Sequence, residues 1–244
     1  MRHLALILVS ASFLLSANIA KADITVGLST AMTGLGATIG RGYRAGIEAA
    51  QLYMGSVGGE KIKVIVLDDA SDQSTASRNA RKLIDEDKVD ILLGTSGVPS
   101  TLAMAAVAAE KKVPMIALSP VSPRDTGAGQ WVVTVPQSNP FMILALVDHM
   151  KAAGIKRVAY IGYSDALGDD VYQGLVDAAQ KAGIEVVTNE RFARADTSVT
   201  GQVIRILSTQ PDAVMTGGAG TASALPYLTL RQRGYNRPIF GPHS

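Results

Sequence analysis

The chain has 244 residues, 47% hydrophobic, 18% charged and 5% aromatic, with 23 basic against 21 acidic side chains and no cysteine. The balanced charge, with no basic stripe interleaved with aromatics, excludes a nucleic-acid surface. The lack of cysteine excludes disulfides, a thiolate nucleophile and a lipidated N-terminal cysteine.

The first residues read as a leader. Arg2 and His3 precede the apolar run 4–15, and Ser16 and Asn18 then lead to the small-residue site Ala20-Lys21-Ala22, the pattern of a secretory signal peptide. The run falls short of the roughly 20 apolar residues that span a bilayer. Cleavage is expected before Asp23, which places 23–244 free in a periplasm.

From there strands and helices alternate. A strand is expected at 24–29 and a helix at 42–53 with Tyr43, Ile47, Ala50 and Met54 on one side. A strand at 62–67 leads to a helix at 74–87 with Ala76, Ala80, Leu83 and Ile84 facing inward. The apolar run 91–94 is too short for a helix and reads as a buried strand. Leu102, Ala103, Ala106, Val107 and Glu110 then recur at helical spacing, with Ser100 or Thr101 as N-cap, before a strand at 115–118. A strand, a covering helix and a strand imply a right-handed crossover and a parallel sheet. The loops 95–99 and 119–123 therefore emerge at the carboxyl edge of that sheet, where open α/β folds hold ligands.

Next come a strand at 131–134, a helix at 139–153, a strand at 157–162, a helix at 167–182 and a strand at 185–192. A helix at 200–208, a strand at 213–216, a helix at 222–233 and a short strand at 238–240 complete the pattern. The repetition predicts an α/β fold of doubly wound parallel sheets. Val135-Pro136-Gln137-Ser138-Asn139-Pro140 is the Pro-bearing polar break between long periodic runs, so a first lobe at 23–136 and a second at 137–241 are expected.

Several features arrive in a specific order: Ile24-Thr25-Val26-Gly27 before Ala31-Met32-Thr33-Gly34, Gly58-Gly59 before a strand ending Asp68-Asp69 with Asp72 beyond, Gly94-Thr95-Ser96, Val113-Pro114-Met115-Ile116, and Gly168-Asp169 at a helix mouth. In this the chain resembles type I periplasmic solute-binding proteins of the branched-chain amino acid class, the receptor components of ABC importers. The resemblance implies two lobes joined by a hinge, a small carboxylate or amino acid bound between them, a membrane permease as partner, no cofactor, no catalysis and a monomer when complete. Members run on past the strand at 238–240, so 242–244 reads as the start of a re-crossing segment. The family's length implies that about a third of it is absent here, with weaker binding and an uncovered apolar face.

The resemblance carries binding roles to Ser96, Val98 and Ser100 after one strand, and to Ser119 and Ser122 after the next. Val98 stands where many relatives have a hydroxyl, so its backbone N–H is the group that serves. A helix beginning near Ser100 offers free N–H donors to a carboxylate, worth up to about 2 kcal/mol when partly buried. Positions that often carry tyrosines hold Ile39, Leu167 and Ala219 or Gly220. Gly241-Pro242-His243 replaces the acidic partner of a ligand ammonium. These departures point to aromatic or aliphatic carboxylates rather than an α-amino acid.

Three other readings compete. A ligand-sensing domain of the same fold shares the pattern but needs an output module. Thr33-Gly34-Leu35-Gly36-Ala37-Thr38-Ile39-Gly40 between strand and helix, with Asp68-Asp69 ending the next strand, resembles a dinucleotide fingerprint and hence an NAD(P)-dependent oxidoreductase. Asp68, Asp69 and Asp72 read either as a hard-cation site or as an acidic turn capping the helix at 74. Beyond the leader the histidines are His149 and His243, which leaves little for a zinc site or a Ser-His-Asp triad.

Overall fold

The computed structural model describes residues 23–121 and 129–242. The expected leader (1–22), Ser122 and His243 lie outside the described residues.

The first sheet is built on β1 (Ile24–Thr30), flanked by β3 (Glu60–Asp68) and β4 (Ile91–Gly94); β5 (Met115–Ala117) and β6 (Val132–Thr134) extend it, all in parallel. Ser29 stands opposite Gly94 and Gly94 opposite Ala117. The loops after β1, β4 and β5 therefore leave the sheet at one level. Its outer edge is β2 (Ser56–Val57), antiparallel to β3, a hairpin absent from the sequence-based expectation. Its turn is Gly58-Gly59, with φ of 59° and 87°, the paired positive angles that a two-residue hairpin demands and glycine supplies.

The second sheet centres on β7 (Arg157–Tyr163), with β8 (Glu185–Phe192) on one side and β9 (Ala213–Gly217) then β10 (Ile239–Phe240) on the other, again parallel. Every residue of β7 after Arg157, and all of β9, is buried, as expected of strands covered on both faces. Tyr163 lies opposite Phe192 and Gly162 opposite Gly217, so the loops carrying residues 164–165, 193–196 and 218–220 share the carboxyl edge.

The helices are α1 (Ala37–Met54), α2 (Gln73–Asp85), α3 (Val98–Lys111), α4 (Asn139–Ala152), α5 (Ala166–Ala182), α6 (Thr200–Ser208) and α7 (Ala224–Gln232), the last preceded by a 3-10 turn at Thr221–Ser223. α2 packs on α3 and α4 on α5. Among the described residues no helix is long and apolar enough to cross a membrane.

Three expectations need correction. α3 begins at Val98 with Gly97 as its N-cap, not at Ser100 or Thr101. Pro99 is tolerated because the first turn needs no N–H from it, and Thr101 Oγ1 instead accepts from the Thr95 N–H at 3.1 Å. The buried side of α3 is Thr101, Met104, Ala105, Val107 and Ala108, while Ala106 and Glu110 face solvent; Glu110 pairs with Arg81 at 2.7 Å. α1 starts five residues early and buries only Gly40. Ala50 is exposed and Met54 is 61% exposed, although Gln51 between them donates to the Ile62 carbonyl of β3 at 3.0 Å.

Candidate functional site

The site grows from loops that lock one another. Asp68, ending β3, accepts through Oδ1 from the N–H groups of Met32 (2.8 Å) and Ala70 (2.8 Å) and through Oδ2 from the Thr33 hydroxyl (2.7 Å). Burial alone would raise its pKa, but these hydrogen bonds hold it below the usual value. Neighbouring Asp69 is fully buried, and burial pushes its carboxyl up despite a bond from the Ser71 N–H. These contacts answer the dinucleotide reading. The carboxylate required for a ribose is occupied by the loop it closes. Asp72 accepts from the Thr75 N–H at 2.7 Å and so caps α2, and among the described residues no group of three or more His, Cys, Asp or Glu is placed to hold a metal.

At the end of β4, Ser96 Oγ accepts from the Ala31 N–H at 3.2 Å. Its own proton remains free to donate. Ser119, after β5, is different: its hydroxyl donates to the Thr95 carbonyl at 2.8 Å, so its proton is spent on the scaffold. Between them α3 opens, and the first N–H groups of a helix lack intrahelical acceptors; here those belong to Val98 and Ser100, since Pro99 has none. Tyr43 of α1 reaches the same place and donates to the Leu118 carbonyl at 2.8 Å. Burial raises its phenol, which keeps that donor protonated.

The facing wall comes from the second sheet. Asp165 caps α5 by accepting from the N–H groups of Leu167 (2.9 Å) and Gly168 (3.3 Å). This seats Leu167, 5% exposed, toward the first lobe. Tyr163 Oη donates to the Ala219 carbonyl at 2.8 Å and fixes the loop after β9. From the loop after β8, Arg194 donates through Nε to Asp165 Oδ2 at 2.6 Å, with its guanidinium carbon 4.3 Å from the centre of the Tyr163 ring.

Between the walls lies a cleft of about 460 Å³, open solvent at its mouth included. Five of the residues singled out from sequence meet there, Ser96, Val98, Ser119, Leu167 and Ala219, together with Ile39. Ser100 lines a smaller adjoining cavity that also touches Ser96 and Arg194. Gly220 does not line the cleft, although Pro242 does. Sequence reasoning missed Tyr43, Asn139 and Arg194. Asn139 is buried at the start of α4 and donates to Asp170 at 2.7 Å. Arg194 had one available signal, its position just beyond a strand at the carboxyl edge. Among the described residues no Asp or Glu lines the cleft, and Arg194 is its one charged side chain.

A family model described as a periplasmic binding protein matches residues 23–243. The chain belongs to the periplasmic binding protein family. Its fold is the type I architecture of that family. This binding protein is similar to a solved extracellular ligand-binding receptor from Rhodopseudomonas palustris HaA2, 43% identical with a TM-score of 0.86, over 90% of this chain and 60% of that one. It is 28% identical to a Leu/Ile/Val-binding protein, BraC3, of Rhizobium johnstonii over 92% of this chain and 62% of the relative. A solute-binding protein of an ABC transporter from Rhodopseudomonas palustris BisB5, solved with 3,4-dihydroxybenzoic acid, is 26% identical with a TM-score of 0.81, covering 91% of this chain and 62% of that one. The chain thus spans about 60% of the length of the relatives it matches.

Proposed function

We propose that this chain carries the ligand cleft of the periplasmic binding component of an ABC importer, and that its ligand is a small aromatic or aliphatic carboxylate without an α-ammonium group. The observation that carries the reading is the charge of the cleft: one arginine and, among the described residues, no acid. An α-amino acid needs a counter-charge for its ammonium, and burying that cation unpaired is costly. A carboxylate alone needs donors, and Ser96, the N-terminus of α3 and Arg194 are donors. The relative solved with 3,4-dihydroxybenzoic acid supports this ligand class, while the Leu/Ile/Val-binding relative favours an amino acid instead. The role is binding rather than catalysis, the partner is a membrane permease, and the lobes divide at residues 136 and 137.

A thermal-shift panel of benzoate, 4-hydroxybenzoate and 4-methylpentanoate beside leucine and valine separates the two ligand classes. A ligand at a hundred times its Kd stabilises by about 2.7 kcal/mol, a rise of roughly 5 to 10 °C for a chain of this size. We expect that rise from an acid and little from leucine; a clear preference for leucine or valine overturns the reading. For the leader, sequencing of exported protein is expected to begin at Asp23, and exported material retaining Met1 contradicts it.

A further inference from the structure

Arg194 is held as if for a partner that the described residues do not supply. Its Nε edge is fixed by Asp165 at 2.6 Å and one face of the guanidinium rests on Tyr163, yet Nη2 is buried and makes no hydrogen bond. A buried, charged donor left unpaired is unfavourable. Asp165 does not exhaust it, because the other oxygen of that carboxylate accepts the N–H groups of Leu167 and Gly168 at the start of α5. The adjoining small cavity is lined by Gly36, Ser71, Ser96, Gly97, Pro99 and Ser100 of the first lobe, with Arg194, among the described residues, as the one from the second. The same cavity is bounded by Ser96 and by Gly97, Pro99 and Ser100 at the N-terminus of α3.

We propose that Arg194 is the second-lobe half of a carboxylate seat shared by both lobes, so that the acid group of the ligand ties them together. The inference rests on the carboxylate reading above and assigns that group to the arginine. A planar carboxylate accepts from the Nη edge of a guanidinium in a geometry that an ammonium cannot reproduce. Its remaining lone pairs turn toward Ser96 and the N–H groups of Val98 and Ser100, where the helix end favours negative charge. A neutral amide of the same shape brings two donors of its own to a seat made of donors and is rejected.

Calorimetry with benzoate against benzamide, and 4-methylpentanoate against 4-methylpentanamide, reads this directly. Wild type is expected to prefer at least one acid over its amide by about a hundredfold, and Arg194→Gln to lose roughly 10- to 150-fold for that acid, the span of one hydrogen bond to a charged group. The same variant is expected to change the affinity for the amide by less than about threefold, which a general structural defect does not allow. Arg194→Lys, which keeps the charge without the fork, is expected to fall between, and the acid-to-amide ratio within that one protein remains readable even where Arg194→Gln folds poorly. Wild-type affinity for the acid in both variants overturns the role of Arg194 while leaving the carboxylate reading intact. Failure of the wild type to bind any acid of the panel overturns both.

Discussion

On the first-lobe wall the polar groups are interlocked through their own loops, with Ser96 Oγ accepting from Ala31 and Ser119 Oγ donating to Thr95. The second-lobe wall sets apolar Leu167 and Ala219 around one charged side chain, with a guanidinium nitrogen that has no partner. The contrast separates two tasks. The first wall holds its hydroxyls in place without a ligand and still offers preformed neutral donors; on the proposed reading the second is completed by the ligand itself. Affinity for a bare carboxylate is thereby expected from the first wall, and coupling between the lobes from the second.

The largest expected effect removes the second wall altogether. A Cβ on Gly168 would stand 1.9 Å from the Tyr163 carbonyl oxygen, so the start of α5 must move away from β7. Gly168→Ala is expected to destabilise by about 3 kcal/mol and to displace Leu167 and Asp165 together. Urea denaturation checks it, and an unchanged midpoint would mean that the approach of helix and strand is looser than described. Next is Ser96→Ala, which deletes a hydroxyl whose proton is free. A loss of roughly 10- to 150-fold in acid affinity is expected by calorimetry, with a smaller loss of stability from the orphaned Ala31 N–H.

Ser119→Ala sharpens the contrast within the first wall. Because that hydroxyl already donates to Thr95, the expected cost is about 1 kcal/mol of stability and a change in affinity well below that of Ser96→Ala. Equal losses of affinity from the two variants would place both hydroxyls on the ligand.

The overall order of strands and helices is readable because the segments follow strand or helix periods, as with β8 and α6, whose limits match the sequence-based ones. What was lost has physical causes. An Ala-rich helix such as α3 carries little contrast between faces, so the helical spacing of Ala103, Ala106 and Val107 does not show that Ala106 faces solvent and Ala108 the core. β2 is two residues long and shows itself only through its Gly-Gly turn. In the site, Ser96, Val98 and Ser119 could be placed because loop residues at the carboxyl edge of parallel strands converge. Ser119's commitment to Thr95 could not, since it depends on which way one hydroxyl points. Arg194 escaped because a single arginine in a polar loop reads as solvated until the other lobe is seen across from it.

The smallest expected effect is electrostatic and concerns adjacent residues. Asp68 is lowered from 3.8, although its burial acts the other way, by hydrogen bonds from Thr33, Ala70 and Met32, while Asp69 is raised from 3.8 by burial. The stability Asp68 contributes is present above pH 3.8 and lost as pH falls through its folded value. That of Asp69 is full below pH 3.8 and lost as pH rises through its folded value. Asp68→Asn is therefore expected to flatten the acid limb of a urea-stability profile and Asp69→Asn the limb above pH 3.8. A single shared titration of both carboxyls in carbon NMR would contradict the assignment.

The central claim, a carboxylate held from both walls, is tested most directly by a crystal structure of the protein with the acid that binds best in the thermal-shift panel. Its carboxylate is predicted within about 2.7 to 3.2 Å of a nitrogen of the Arg194 guanidinium on one side and of Ser96 Oγ or the Val98 N on the other. A carboxylate bound to one wall only, or an acid group turned to solvent with Arg194 Nη2 still unpaired, would contradict the account.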